Sequence, residues 1–246
     1  MTDHSLLSKL PIPAKDRLIF ALDVPTKEEA LKWIDRLGDA VTFYKLGLEF
    51  CMSGSYFEVL EELIRRGKKV FADLKFSDVP ATVRGAVANL AAHGATYCTL
   101  HGTSGVYREV VPVKGGMKLL AVTVLTSVDA AEAEEMGWGG PVEELVSLRA
   151  RKAVEAGIDG LISSGLEAAR LRKELGSAPV LITPGIRSEG EKSDDQKRTM
   201  TVREAFLAGA DHIVVGRPIR KAADPRARAE AMQAEIAELF SPEQCP

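Results

Sequence analysis

The sequence predicts an α/β fold, a single (β/α)8 TIM barrel, on three observations. Short β-rich segments alternate with stretches of helical period from end to end, a strand followed by a helix eight times, which is the pattern of βαβ units in a parallel sheet. The 246 residues match the usual size of one such barrel, about 250. No Pro/Gly/Ser-rich linker or shift in composition divides the chain, so residues 1–246 read as one domain. Length alone would also allow two small domains. An open doubly wound sheet would account for the alternation but not for the length.

The first strand falls at 17–23 (RLIFALD), and the helix after it at 26–37, where Thr26 is the N-cap with Glu29 three residues on. Strands two to eight fall at 41–46, 69–75, 96–101, 118–125, 159–163, 180–183 and 212–215. The helices between and after them fall at 56–66, 82–93, 105–113, 142–156, 167–175, 202–208 and 225–240. Gly67, Gly94 and Gly157 stand where a helix C-cap is due before the next strand.

Composition narrows the function classes. With 46% apolar and 27% charged residues the chain is globular, and a net charge of −3 offers no electrostatic footprint for nucleic acid or an anionic membrane. Three widely spaced cysteines, Cys51, Cys98 and Cys245, argue against a disulfide framework or a cysteine zinc site and fit a reducing, cytoplasmic compartment. Residues 1–13 contain no apolar run long enough for a signal peptide, and the longest apolar stretch, 119–125, is far short of a membrane span.

In this fold the active site forms at the C-terminal ends of the strands. Strand one ends in Asp23, strand two in Lys45, strand three in Asp73-Leu74-Lys75 and strand four in His101; strand five runs into Thr126-Ser127 and strand eight into Gly216-Arg217. Any one of these residues could simply solvate a loop mouth. Asp23, Lys45, Asp73 and Lys75 together imply a paired network, because unpaired charges are costly to bury and opposite charges at close range favour the ionised form of each. Such a site could draw a proton from Lys75 while Asp73 holds a fixed negative charge beside the substrate. Alternation puts Asp73 and Lys75 on one face, interior or outer, and Phe71 and Leu74 leave that choice open.

Residues 184–198 (PGIRSEGEKSDDQKR) make a polar connection longer than the usual βα loop of about 2–6 residues. It reads as a lid, with a tolerated surface insertion as the alternative. Gly216-Arg217 lies where barrels commonly build a phosphate site, and a guanidinium suits phosphate well. With Arg187 and Gln196 as candidate donors, the loop would close over a phosphorylated small molecule. His4, His93 and His212 read as structural, and His101, at a strand exit, is left open. No metal-ligand spacing, GxGxxG or GxxxxGK[ST] occurs, so nothing visible requires a metal, and support for a dinucleotide or P-loop site is lacking.

These residues resemble the orotidine 5'-phosphate decarboxylase family over nearly the whole chain. The most specific element is Asp73-Leu-Lys-Phe-Ser-Asp78-Val-Pro80, similar to that family's D-x-K-x-x-D signature. Ala21-Leu-Asp23, Lys45-Leu-Gly47, Val124-Leu-Thr-Ser127, Pro184-Gly-Ile186 and Val215-Gly-Arg-Pro218 accompany it in family order. Ser77 and Val79 depart from the commoner His and Ile, at positions to which no chemistry is assigned. The resemblance implies conversion of orotidine 5'-monophosphate to uridine 5'-monophosphate and CO2 without metal or organic cofactor. It makes Lys75 the proton donor to C6, puts Asp73 beside the departing carboxylate, and pairs Lys45 with Asp73 and a ribose hydroxyl. Asp23 would take a ribose hydrogen bond, Thr126 and Ser127 would read the pyrimidine next to the Pro184 segment, and Arg187, Gln196, Gly216 and Arg217 would hold the phosphate. Asp78 and Thr82 would reach the neighbouring subunit's site in a homodimer.

Two rivals use the same features. A keto-sugar-phosphate decarboxylase or hexulose-phosphate synthase shares D-x-K-x-x-D but works with Mg2+ and an enediolate. A non-catalytic nucleotide-binding barrel would have no need of the proton donor, so Lys75 with Asp73 and Lys45 argues against it.

Overall fold

Over the described residues, 5–187 and 200–241, the computed structural model shows eight parallel strands closed into a barrel in chain order. They are β1 (Leu18–Ala21), β2 (Phe43–Gly47), β3 (Lys69–Phe76), β4 (Tyr97–Leu100), β5 (Lys118–Val122), β6 (Gly160–Ile162), β7 (Val180–Thr183) and β8 (His212–Val215). Leu18 of β1 registers with Ile213 of β8 and closes the ring. Helices Lys27–Leu37, Tyr56–Arg65, Pro80–Ala92, Ser104–Val110, Val142–Glu155, Gly165–Leu175, Val202–Leu207 and Pro225–Leu239 follow the strands in turn. The single barrel is therefore observed as expected, with β7 and β8 at the expected bounds.

Two buried layers follow from strand alternation. Ile19, Phe43, Phe71, Tyr97, Leu120, Val180 and Ile182 fill the barrel interior, and Leu10 of the N-terminal segment packs against them. The intervening residues, among them Leu18, Phe20, Tyr44, Val70, Ala72 and Cys98, belong to the larger cluster shared with the helices. Because Phe71 is interior, Asp73, two residues on, shares its face. The choice that apolar neighbours left open along the sequence is made by which face the barrel encloses.

The cap positions behave as their residues dictate. Thr26 accepts a hydrogen bond from the Glu29 backbone N–H, and Gly67, Gly94 and Gly157 take φ of +70°, +82° and +90° directly after their helices. Other boundaries shift. β1 stops at Ala21 rather than at Asp23, and β5 at Val122 rather than 125, where the Thr123 carbonyl leaves the ladder to accept from Arg149 Nη1 at 2.8 Å. The helix expected from 82 starts at Pro80, whose missing N–H costs nothing in a first turn. The helix expected from 167 starts at Gly165, behind a Ser164–Glu167 capping box. Short helices Leu48–Cys51, Ala130–Glu135 and Arg217–Arg220 escape sequence periodicity because none exceeds two turns.

At the N-terminal end of the barrel a buried polar network pins the chain. Asp211, fully buried, accepts from Arg172 Nη2 and from the Leu181 backbone N–H, both at 2.7 Å. His212 Nδ1 lies 2.9 Å from the Asp16 carbonyl and its Nε2 2.9 Å from the Tyr97 hydroxyl. The carbonyl can only accept, so Nδ1 carries the proton and Nε2 accepts from Tyr97. Burial pushes the His212 pKa down from 6.5 to about 3. The unfolded chain therefore binds a proton that the folded chain refuses. Stability from this group is complete above pH 6.5 and is lost as pH falls toward 3, at up to about 1.4 kcal/mol per pH unit. His212→Gln is expected to flatten that slope in urea unfolding series at stepped pH, and an unchanged slope would acquit His212. His93 is also structural in its contacts, 2.8 Å from Glu61 and with its ring 4.3 Å from that of Phe57.

Candidate active site

The interior faces of β2 and β3 carry Lys45 and Asp73 to the C-terminal mouth, and Asp23 arrives just past β1. Lys45 Nζ donates to Asp23 Oδ1 at 2.9 Å and lies 3.6 Å from Asp73 Oδ2, while Lys75 Nζ reaches Asp73 Oδ1 at 2.7 Å. The four groups alternate in sign as a continuous chain. Burial alone would raise the Asp73 pKa, but the charges of Lys45 and Lys75 and hydrogen bonds from Lys75 and Thr99 outweigh it, so this carboxylate titrates below its ordinary range.

Local backbone geometry makes this packing possible. A Cβ on Gly47 would come within 3.0 Å of Lys45 Nζ and 3.1 Å of Asp23 Oδ1, so a side chain there would press on the ion pair and shift it by a few tenths of an ångström. The β3–β4 ladder pairs Ala72 with Cys98 and then jumps to Phe76 with Leu100. Within that irregularity Lys75 has φ of +49°, the one positive value outside glycine among the described residues. A left-handed lysine is held against its own preference.

These groups line a cavity of about 470 Å3, a size that suits a small ligand. Phe71, Val122, Ile162 and Val214 supply apolar wall, and Thr126 stands at the rim beside Leu125. Pro184, Gly185, Arg187, Gly216, Arg217 and Arg220 make a second, basic side. β3 and β7 are four strands apart in a ring of eight, so the Arg187 side faces Asp73 across the mouth. Arg187 Nη1 donates to the Ile186 carbonyl at 2.8 Å, whereas its Nη2 is buried with no hydrogen-bond partner among the described residues. A buried guanidinium nitrogen in that state suits an anion entering from the cavity.

Of the residues singled out from the sequence, Asp23, Lys45, Asp73, Lys75, Thr126, Pro184, Arg187, Gly216 and Arg217 converge on this cavity. Ser127 is exposed and does not line it, nor do Asp78 and Thr82, exposed on the rim before and in the helix Pro80–Ala92. Gln196, nearly all of the expected lid at 184–198, His4 and Cys245 lie outside the described residues. His101 belongs to a separate hollow with Tyr107, Arg149 and Lys152, and burial and the charges of Arg149 and Lys75 lower its pKa. The sequence reading missed Glu49, Thr99 and Arg220. Glu49 rides on a four-residue helix without periodicity, and nothing in residue type sets Thr99 apart from Tyr97, Cys98 and Leu100 on β4. Arg220, whose Nη1 donates to the Asp23 carbonyl, is one helical turn beyond Arg217 and was legible by that spacing. Among the described residues no group of three or more His, Cys, Asp or Glu is placed to hold a metal ion.

Comparison with known proteins adds three kinds of likeness. The family described as "Orotidine 5'-phosphate decarboxylase / HUMPS family" matches residues 16–232. Orotidine 5'-phosphate decarboxylase of Methylococcus capsulatus is 50% identical over 238 residues, covering 96% of this chain and 98% of the relative. The enzyme of the same name from Xanthomonas oryzae is 52% identical over 229 residues, covering 92% and 94%. The crystal structure of orotidine 5'-phosphate decarboxylase from Lactobacillus acidophilus superposes with a TM-score of 0.80 at 34% identity, covering 90% of this chain and 99% of that one.

Proposed function

The chain belongs to the orotidine 5'-phosphate decarboxylase / HUMPS family, and we infer from that membership that it is the carboxy-lyase converting orotidine 5'-monophosphate to uridine 5'-monophosphate and CO2 in pyrimidine biosynthesis. The observation that carries this reading to the residues is the alternating array Asp23–Lys45–Asp73–Lys75 at the cavity mouth. Breaking the bond between C6 and the carboxylate leaves an electron pair on a carbon with little resonance stabilisation. The protein must then supply a fixed positive charge and a proton at that carbon. Lys75 provides both, and its ammonium proton goes to C6 as CO2 departs. Asp73 lies beside the departing carboxylate, where its charge complements the transition state better than the ground state. Lys45 bridges Asp73 to a ribose hydroxyl, and Asp23 accepts from the ribose.

Thr126 reads the pyrimidine next to Pro184, and Arg187, Gly216 and Arg217 take the phosphate. The Arg187 Nη2, buried and without a hydrogen-bond partner among the described residues, supports the assignment of Arg187. Asp78 and Thr82 are assigned to the neighbouring site of a homodimer, supported by their exposure outside the cavity of their own chain. The free thiols of Cys51 and Cys98 support a reducing, cytoplasmic setting. Among the described residues no helix is long and apolar enough to cross a membrane.

A direct assay tests the reading by following the loss of ultraviolet absorbance of orotidine 5'-monophosphate without added metal and again with EDTA. Turnover that survives the chelator is the expected result. Turnover of sugar phosphates alone, abolished by EDTA, would move the chain to the sugar-phosphate members of this barrel class. Nucleotide binding without turnover would make it a binding protein.

A further inference from the structure

We propose that Thr99 is a positioning residue for this reaction, the group that sets both the orientation of the proton-donor lysine and that of its carboxylate partner. The proposal rests on the reading of Lys75 and Asp73 given above. Thr99 lies on β4 two residues after Tyr97, on the interior face, and is fully buried. Its hydroxyl has one proton to give and lone pairs to accept with, and both capacities are in use. Oγ1 donates to Asp73 Oδ1 at 3.0 Å and accepts from the Lys75 backbone N–H at 3.0 Å.

The ladder explains why a hydroxyl is needed there. Between the pairs Ala72–Cys98 and Phe76–Leu100, β3 has Asp73, Leu74 and Lys75 where β4 has Thr99 alone. The Lys75 N–H falls out of register with the β4 carbonyls, and a buried N–H without a partner is costly. The Thr99 side chain takes the place of the missing backbone acceptor. It thereby holds Lys75 at φ +49°, a conformation that a lysine does not choose. From that backbone the Lys75 side chain turns back to set Nζ 2.7 Å from Asp73 Oδ1, the same oxygen that Thr99 holds. One hydroxyl closes a ring through the backbone and side chain of the proton donor and the carboxylate beside it.

Valine matches threonine in shape and lacks both hydrogen-bonding functions, whereas serine keeps them. Thr99→Val is expected to lower kcat for orotidine 5'-monophosphate about 10- to 100-fold, the effect of loosening a charged hydrogen-bonded pair. KM, and the Kd of uridine 5'-monophosphate, should stay within about 3-fold, because Thr99 does not line the cavity. Thr99→Ser should recover kcat to within about 3-fold of the unmodified enzyme. A valine variant with unchanged kcat, a serine variant as impaired as valine, or a loss expressed in KM instead of kcat would each overturn the proposal. Should the valine variant not fold, Thr99→Ala against Thr99→Ser makes the same comparison with and without the hydroxyl. Absence of turnover by the unmodified protein would instead sink the decarboxylase reading, so the two failures are distinct.

Discussion

Lys75→Ala is expected to lower turnover of orotidine 5'-monophosphate by at least about 10,000-fold, since in the proposed mechanism it removes a proton donor and a stabilising charge at one carbon. The neighbours limit collateral damage. Without Lys75, Asp73 still has Lys45 Nζ at 3.6 Å and the Thr99 hydroxyl at 3.0 Å, so its carboxylate is not stranded. The basic side of the cavity, with Arg187 and Arg217, is untouched. Binding of uridine 5'-monophosphate should therefore persist, measured by calorimetry, with turnover measured on the same sample. Turnover within about tenfold of the unmodified enzyme would remove Lys75 from both roles, since each alone is worth more than that.

Asp73→Asn carries the second largest expectation, a fall in kcat of about 100- to 1,000-fold with KM unchanged or lowered. The amide keeps the shape of the carboxylate but not its charge. Asp73 sits between two ammonium groups, whose charges hold its pKa below the ordinary value against the cost of burial. Among the described residues, neutralising it leaves Lys45 with Asp23 alone and Lys75 with no counter-charge, and frees the Lys75 nitrogen from a defined direction. It also removes a negative charge from beside the substrate carboxylate, so ground-state binding should not weaken. A variant that raised KM and kept kcat would mark Asp73 as a binding residue alone. Steady-state kinetics across substrate concentration separates the two outcomes.

Much of this was legible along the chain, for reasons that particular residues display. Thr26 with Glu29 shows a helix start, and Gly67, Gly94 and Gly157 show helix ends, because caps act within a few residues. Val180–Thr183 and His212–Val215 stand at their expected bounds as runs rich in β-branched residues, the latter closed by Gly216. Charged residues at strand exits point to a barrel mouth once the fold is assumed, and Asp23, Lys45, Asp73 and Lys75 meet there. Apolar residues continuing past the ladder misled the ends of β1 and β5, since hydrophobicity does not report where a strand loses its neighbour. Ser127 and Thr126 are adjacent in sequence, yet only Thr126 faces the cavity.

The order of elements, their caps and the residue types delivered to one end of the sheet are properties of short segments, and periodicity and composition carry them in full. The face on which Asp73 lies, the left-handed turn of Lys75 and the part played by Thr99 are not of that kind. Thr99 is 26 residues from Asp73 and 24 from Lys75, and their meeting depends on how β3 and β4 fall out of register inside a closed ring. Register is set by all the strands together through the packing of the interior. The charges of the site are written in the chain, and the geometry that makes them one device comes from closing the barrel.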